Sequence, residues 1–181
     1  MKILFVHQNF PAQFSQIAAH LAKQTGNELL ALKQPPAANF EGVGVVPYRF
    51  LHDTQTALHP LLGEMESKVL RGEAVAEAAL RLRNKGWHPD VIIGHPGWGE
   101  LLFIRDIWPT AKLVVNCEYY YNAEGQDFNF DPEFQDSRYT TVERMKLKKH
   151  GNVKRASGSR YILHANTVAT PNLSRKSASS H

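Results

Sequence analysis

The chain is poor in several things, and each shortage removes a class of protein. Among its 181 residues stands one cysteine, Cys117. One thiol builds neither a disulfide framework nor a thiolate metal site, and it suits a reducing, cytoplasmic setting. No apolar run approaches the roughly 20 residues that a membrane-spanning helix needs. The apolar start, Met1 to His7, is broken by Gln8-Asn9 too early for a secretory signal. Neither G-x-G-x-x-G nor a Walker pattern occurs, which argues against a standard dinucleotide fold and a P-loop NTPase. His7, His20, His52, His59, His88 and His95 show no tight ligand spacing, so no metal site is expected. No G-x-S-x-G elbow supports a hydrolase.

Acidic residues are also missing from the end of the chain. All 17 lie in residues 1–143, against 12 Lys and Arg, while residues 144–181 hold 9 Lys and Arg and no acid. The formal net charge of +4 therefore joins a mildly acidic domain to a basic tail. A tail of this composition is expected to be disordered. Its charge also allows peripheral association with an anionic membrane surface or with nucleic acid.

What is present alternates between strand and helix. Lys2 to Val6 is a short apolar strand of the kind found inside parallel sheets. Phe14, Ile17, Ala18 and Leu21 follow at helical spacing, and Gly26-Asn27 ends that helix. Strands are expected at Glu28 to Leu32 and around Val43 to Val46. A long helix is expected from Pro60 to Lys85, with Leu62, Met65, Val69, Ala76, Ala79 and Leu80 on its apolar face and Gly86 as its cap. Residues 90–94 read as a strand, 98–107 as a helix and 112–116 as a strand. This alternation predicts an α/β fold, a Rossmann-like parallel sheet with helices on both faces. At about 150 residues such a domain buries roughly 70% of its unfolded surface.

In a parallel sheet, ligands collect at the carboxyl ends of the strands. Three stretches should meet there: His7 to Pro11, Gly94 to Glu100, and Glu118 to Tyr121. In the second, His95 is the candidate catalytic residue: it can donate to a sugar hydroxyl or phosphate, or act as acid or base, or simply cap a turn. Trp98 can stack on a ligand ring, but as an aromatic on a helix face it is expected in the core. Glu100 can hold a substrate hydroxyl or stabilise a helix N-terminus. Gly97 and Gly99 give the backbone freedom to turn sharply. Gln8, Asn9 and Phe10 occupy the place of a phosphate-binding turn. Glu118, Tyr119 and Tyr120 can frame a carbohydrate site or pack as a lid. Cys117 reads as a small buried thiol.

Several of these stretches together resemble one family. They are His7-Gln8-Asn9-Phe10-Pro11-Ala12-Gln13-Phe14, His59-Pro60, Val69 to Val75, Pro89 to Glu100, and Phe130-Asp131-Pro132-Glu133-Phe134. Residues 1–147 look like the N-terminal domain of family-4-like glycosyltransferases of the GT-B fold. The resemblance implies two Rossmann-like domains, the first mostly holding the acceptor and the second gripping a nucleotide sugar. It implies retaining transfer without a metal or other cofactor, the nucleotide sugar being the substrate. A carbohydrate or lipid-linked acceptor would be the other partner, and nucleic acid would not be one. His95 would lie near the donor sugar, and the turn from Gln8 to Ala12 near its diphosphate. One departure is that Ala12 stands where the family usually has glycine. Another is that the family's second domain is missing from the chain, so transfer by these residues alone is not expected. A stand-alone carbohydrate- or nucleotide-binding module completed by a partner chain is the alternative.

The resemblance fades from about Lys149, where a reading-frame argument applies. Codons for His164-Ala165-Asn166-Thr167-Val168-Ala169-Thr170, shifted forward one nucleotide, can read Thr-Pro-Thr-Gln-Trp-Gln. That resembles a Ser/Thr-Pro-Thr-x-Trp-Gln motif of the family. Residues 1–148 are therefore expected to form the domain, and 149–181 a disordered, out-of-frame tail.

Overall fold

The computed structural model describes residues 1–52, 62–117 and 161–164. Six strands form one sheet, all paired in parallel: β1 (Lys2–Val6), β2 (Glu28–Lys33), β3 (Gly44–Pro47), β4 (Val91–Gly94), β5 (Lys112–Cys117) and β6 (Tyr161–His164). Their order is β3-β2-β1-β4-β5-β6. Among the described residues three α-helices accompany them, α1 (Ser15–Ala22), α2 (Gly63–Asn84) and the short α3 (Ile104–Ile107), with a 3-10 turn at Ala12–Phe14. The expected Rossmann-like architecture is the one observed.

Alternation along β1 shows why both faces are covered. Leu4 and Val6 enter one core with Leu32, Val75, Ile92, Ile104 and Val115. Ile3 and Phe5 enter the other with Phe14, Ala18, Leu29 and Ile93. Each such side chain contributes roughly 1.5–3 kcal/mol when fully buried, and a central strand collects this on two sides. Helices α2 and α3 serve the first core, while α1 lies over the second.

The buried face of α2 shares Ala79 with the expected one, and Ala76 and Leu80 pack at its margin, but its centre is rotated. It holds Lys68, Gly72, Ala74, Val75, Ala78 and Ala79, while Leu62 is exposed. Small residues win because they let the helix approach its neighbours closely. A Cβ on Gly72 would lie 3.0 Å from the carbonyl oxygen of Gly99 and 3.1 Å from the Phe103 ring. Lys68 is buried with its ammonium group on Glu64, 2.9 Å away.

Two further expectations need correction. The helix expected over 98–107 is a series of turns that becomes helical only at Ile104–Ile107. Gly99, at φ 103°, is in a conformation that helices do not contain. The sheet also has a strand beyond residue 148. Strand β6 lies in the segment expected to be disordered and pairs in register with β5, Val114 opposite Tyr161 and Cys117 opposite His164. Tyr-Ile-Leu is an aromatic and apolar run suited to a strand, a local signal that the basic composition around it obscured. Among the described residues no helix is long and apolar enough to cross a membrane.

Candidate functional site

From β1 the chain builds outward through β2 to β3, then returns through α2 to β4 on the other side of β1. The order therefore reverses between β1 and β4, and a sheet opens a crevice at such a switch point. Val6 and Gly94 are paired across that line. The turns that follow them, beginning at His7 and His95, are consequently side by side. A Cβ on Gly94 would lie 2.7 Å from Leu101 and 3.1 Å from the carbonyl oxygen of Val6, so glycine lets the strand end closely packed.

The two imidazoles meet edge to face with centroids 6.2 Å apart. Both are buried, and both are fixed in the same way. The Nδ1 of His7 accepts the Asn9 N–H at 3.1 Å, and that of His95 accepts the Gly97 N–H at 3.1 Å. An accepting Nδ1 carries no proton, so a neutral ring held in this way carries its proton on Nε2. Burial, and secondarily the proximity of His95, lowers the pKa of His7 to about 4. His7 is thus neutral at physiological pH. The capping role and the donor role considered for His95 are compatible, since they use different nitrogens.

Glycines shape this turn. A Cβ on Gly97 would lie 2.6 Å from Cε1 of His95, so the ring can fold back only over a glycine. A Cβ on Gly99 would run into the backbone of Lys68 on α2. Trp98, between them, is 47% exposed and not in the core. With glycine on both sides and no helix beneath it, its indole projects at the sheet edge, its centroid 6.5 Å from that of His95.

Glu100 is neither exposed nor at a helix N-terminus. It is 0% exposed. Its Oε1 accepts the Gln8 N–H at 2.6 Å and the Tyr48 hydroxyl at 3.2 Å, while Oε2 is buried without a partner. Burial raises the Glu100 pKa to about 7, against the opposing pull of the Gln8 and Tyr48 hydrogen bonds and of the Arg71 charge. Tyr48 is pushed upward by its own burial and by Glu100. Arg71, on α2, donates from Nη1 to the Trp98 carbonyl at 2.6 Å, and its guanidinium lies 5.8 Å from the centroid of Phe50.

The structure therefore brings together Gln8, Asn9, His95, Gly97, Trp98, Gly99 and Glu100. Phe10 belongs beneath them: it is 1% exposed and stacked among Phe5 and Phe40, so its ring supports the turn and does not line it. Glu118, Tyr119 and Tyr120 lie outside the described residues, as does the aromatic loop at 128–134. Sequence reasoning missed Tyr48 and Arg71 as site residues. Tyr48 falls in a stretch without periodicity, and Arg71 reads as the wet side of a helix. Ala12 has φ 38°, a left-handed conformation, at the position where the resemblance expects glycine.

An all-parallel sheet whose order reverses between β1 and β4 defines a Rossmann-like domain. Residues 25–164 match the model of the Glycosyl transferase family 4 group. The chain belongs to that family. Among solved structures it is similar to the apo UGT2 of Phytolacca americana, with TM-score 0.57, 11% identity, and coverage of 92% of this chain and 46% of that one. The same UGT2 complexed with UDP-2fluoro-glucose and pterostilbene gives TM-score 0.56 and 11% identity, covering 92% of this chain and 48% of that one. Os79 from O. sativa in complex with UDP gives 0.53 and 11%, covering 92% and 46%. The chain thus spans about half the length of these structures. At such identities the likeness is one of fold. No match was found among curated protein sequences.

Proposed function

We propose that these residues are the N-terminal, acceptor-side domain of a family-4-like retaining glycosyltransferase. It would transfer a hexosyl group from a nucleotide sugar to a carbohydrate or lipid-linked acceptor, without a metal or cofactor. The observation that carries the reading is the meeting of the His7-Gln8-Asn9 and His95–Glu100 turns at the β1/β4 switch point, in a chain matched by the family over 25–164. Support also comes from the fold neighbours, two of which are complexes with UDP or a UDP-sugar.

In this reading His95 offers its Nε2–H to a hydroxyl of the donor sugar, and Trp98 presents a ring face beside it. The turn from Gln8 to Ala12 lies near the diphosphate. Transfer needs a second, donor-gripping domain to exclude water and align the reactants, so residues 1–181 alone turn nothing over. The setting is cytoplasmic, with peripheral membrane association through the basic segment.

The test is a fusion of this chain to the donor-binding domain of a family member, assayed with a panel of nucleotide sugars. Transfer should appear in the fusion, be absent from the chain alone, and fall at least about 10²-fold in His95→Ala, the scale of a lost acid–base or donor group. Turnover by the chain alone would overturn the dependence on a second domain. Undiminished transfer in His95→Ala would overturn the role of that residue.

A further inference from the structure

Glu100 is expected from the sequence to touch substrate, yet both oxygens of its carboxyl are turned into the protein. Oε1 receives hydrogen bonds from two separate elements, the Gln8 amide beyond β1 and the Tyr48 hydroxyl beyond β3. The Gln8 carbonyl is held in turn by the Gln34 N–H beyond β2, at 3.1 Å. Behind the carboxyl stands Arg71 of α2, anchored on the Trp98 carbonyl. The segments beyond β1 and β3 therefore bond directly to one buried side chain beyond β4, and the segment beyond β2 is tied to it through Gln8.

A buried carboxyl is costly, and an apolar residue would fill the space more cheaply. What an apolar residue cannot do is accept the Gln8 amide. β1 pairs with β4 only as far as Val6, opposite Gly94. The Gln8 N–H lies two residues beyond that pair, where no strand carbonyl on the β4 side receives it. Without an acceptor there, the His7 turn would be fastened on its β2 side alone.

We propose that Glu100 is a positioning residue which, with Tyr48, fixes the His7–Pro11 turn against the His95 turn and so sets the width of the crevice between them. Its importance for sugar transfer rests on the proposed reading of those turns. The clasp itself does not, and the test separates the two.

Amide exchange measured by NMR on the full chain reads the clasp directly. In Glu100→Ala the Gln8 amide should exchange at least about tenfold faster while the Leu4 and Phe5 amides within β1 keep their protection. Glu100→Gln, which retains an acceptor oxygen, should restore the slow exchange. A spectroscopic signature adds independence. The groups facing Glu100 are the Gln8 amide, the Tyr48 hydroxyl and the Arg71 guanidinium. In the wild-type chain the Gln8 amide proton should move with pH as its acceptor ionises, and in Glu100→Gln it should not. Should Glu100→Ala fail to fold, that comparison decides the matter.

An unchanged Gln8 exchange rate in Glu100→Ala would overturn the proposal. So would a loss of protection shared with all of β1, or a Gln8 resonance that titrates equally in Glu100→Gln. Transfer in the two-domain fusion tests the link to function: activity lowered in Glu100→Ala and kept in Glu100→Gln supports it. Absence of transfer by the wild-type fusion counts against the transferase reading, and the exchange data still decide the clasp.

Discussion

Replacing Glu100 by glutamine should change how stability depends on pH, and the size of the change follows from burial. The Glu100 pKa rises from 4.5 to about 7 on folding. Between those values the native state holds a proton that the unfolded chain has released, so stability falls as pH rises through the window. Each pH unit is worth about 1.4 kcal/mol, so the loss between pH 5 and pH 8 is about 2.5 kcal/mol. His7 works in the opposite direction. Its pKa falls from 6.5 to about 4, so the unfolded chain binds the extra proton and stability rises with pH, by about 2 kcal/mol over the same range. The two contributions nearly cancel, and the wild-type profile should look flat with respect to both. Glu100→Gln removes one of them and unmasks the other. The amide keeps an oxygen for Gln8 and Tyr48, and places an NH2 group where Oε2 has no partner. That costs about 1–3 kcal/mol at every pH. Urea unfolding followed by tryptophan fluorescence at pH 5, 6, 7 and 8 gives the two curves. The variant should gain about 2.5 kcal/mol relative to the wild type from pH 5 to pH 8, whatever its constant offset. A difference that stays constant with pH would refute the argument, because Glu100 would then ionise alike in both states.

Other expectations follow from particular residues. Ala12→Gly relieves a left-handed alanine. It should stabilise by about 0.5–1 kcal/mol, the αL penalty less the entropy glycine adds to the unfolded chain, seen as a raised urea midpoint. Gly99→Ala combines positive φ with a collision against the Lys68 backbone and should cost more than about 3 kcal/mol, whereas Gly86→Ala, with φ 79° and open space, should cost only about 1 kcal/mol in the same assay. Trp98→Ala should shift stability by less than about 1 kcal/mol, its ring being half exposed, while lowering transfer in the two-domain fusion. Truncation after residue 148 removes β6 and bares the edge of β5, so it should lower the unfolding midpoint and promote aggregation by light scattering, and truncation after 164 should do neither.

The fold was legible where period and length agree. Five strands fall within a residue or two of their expected places, because short apolar runs bounded by glycine, proline and asparagine have few other uses in an alternating pattern. The failures have physical causes. The face of α2 was read correctly at Ala79, and at Ala76 and Leu80, which pack against the core, but was missed at Gly72, Ala74 and Ala78, whose small size carries little hydrophobic signal. The helix over 98–107 was expected from the apolar run Leu101-Leu102-Phe103-Ile104. The positive φ of Gly99, which packs against α2, overrides that signal. β6 was missed because four strand residues are a weak signal inside a basic, serine-rich stretch.

Legibility of the site divides along a similar line. The meeting of the His7 and His95 turns follows from topology alone, since parallel strands deliver their following turns to one edge. What topology does not reveal is which side chains face into the protein there. Tyr48 and Arg71 belong to the site only because Glu100 is buried between them, and a buried carboxyl has no sequence signature distinct from an exposed one. The same holds for Trp98, whose exposure is set by the glycines beside it. An edge with outward Trp98 and inward Glu100 has its ligand-facing groups and its supporting groups interleaved within three residues. Substitutions there cannot be interpreted from transfer rates alone: Trp98→Ala and Glu100→Ala would both lower them, one through contact and the other through the position of a turn. The amide of Gln8 separates the two, because only loss of Glu100 removes its acceptor.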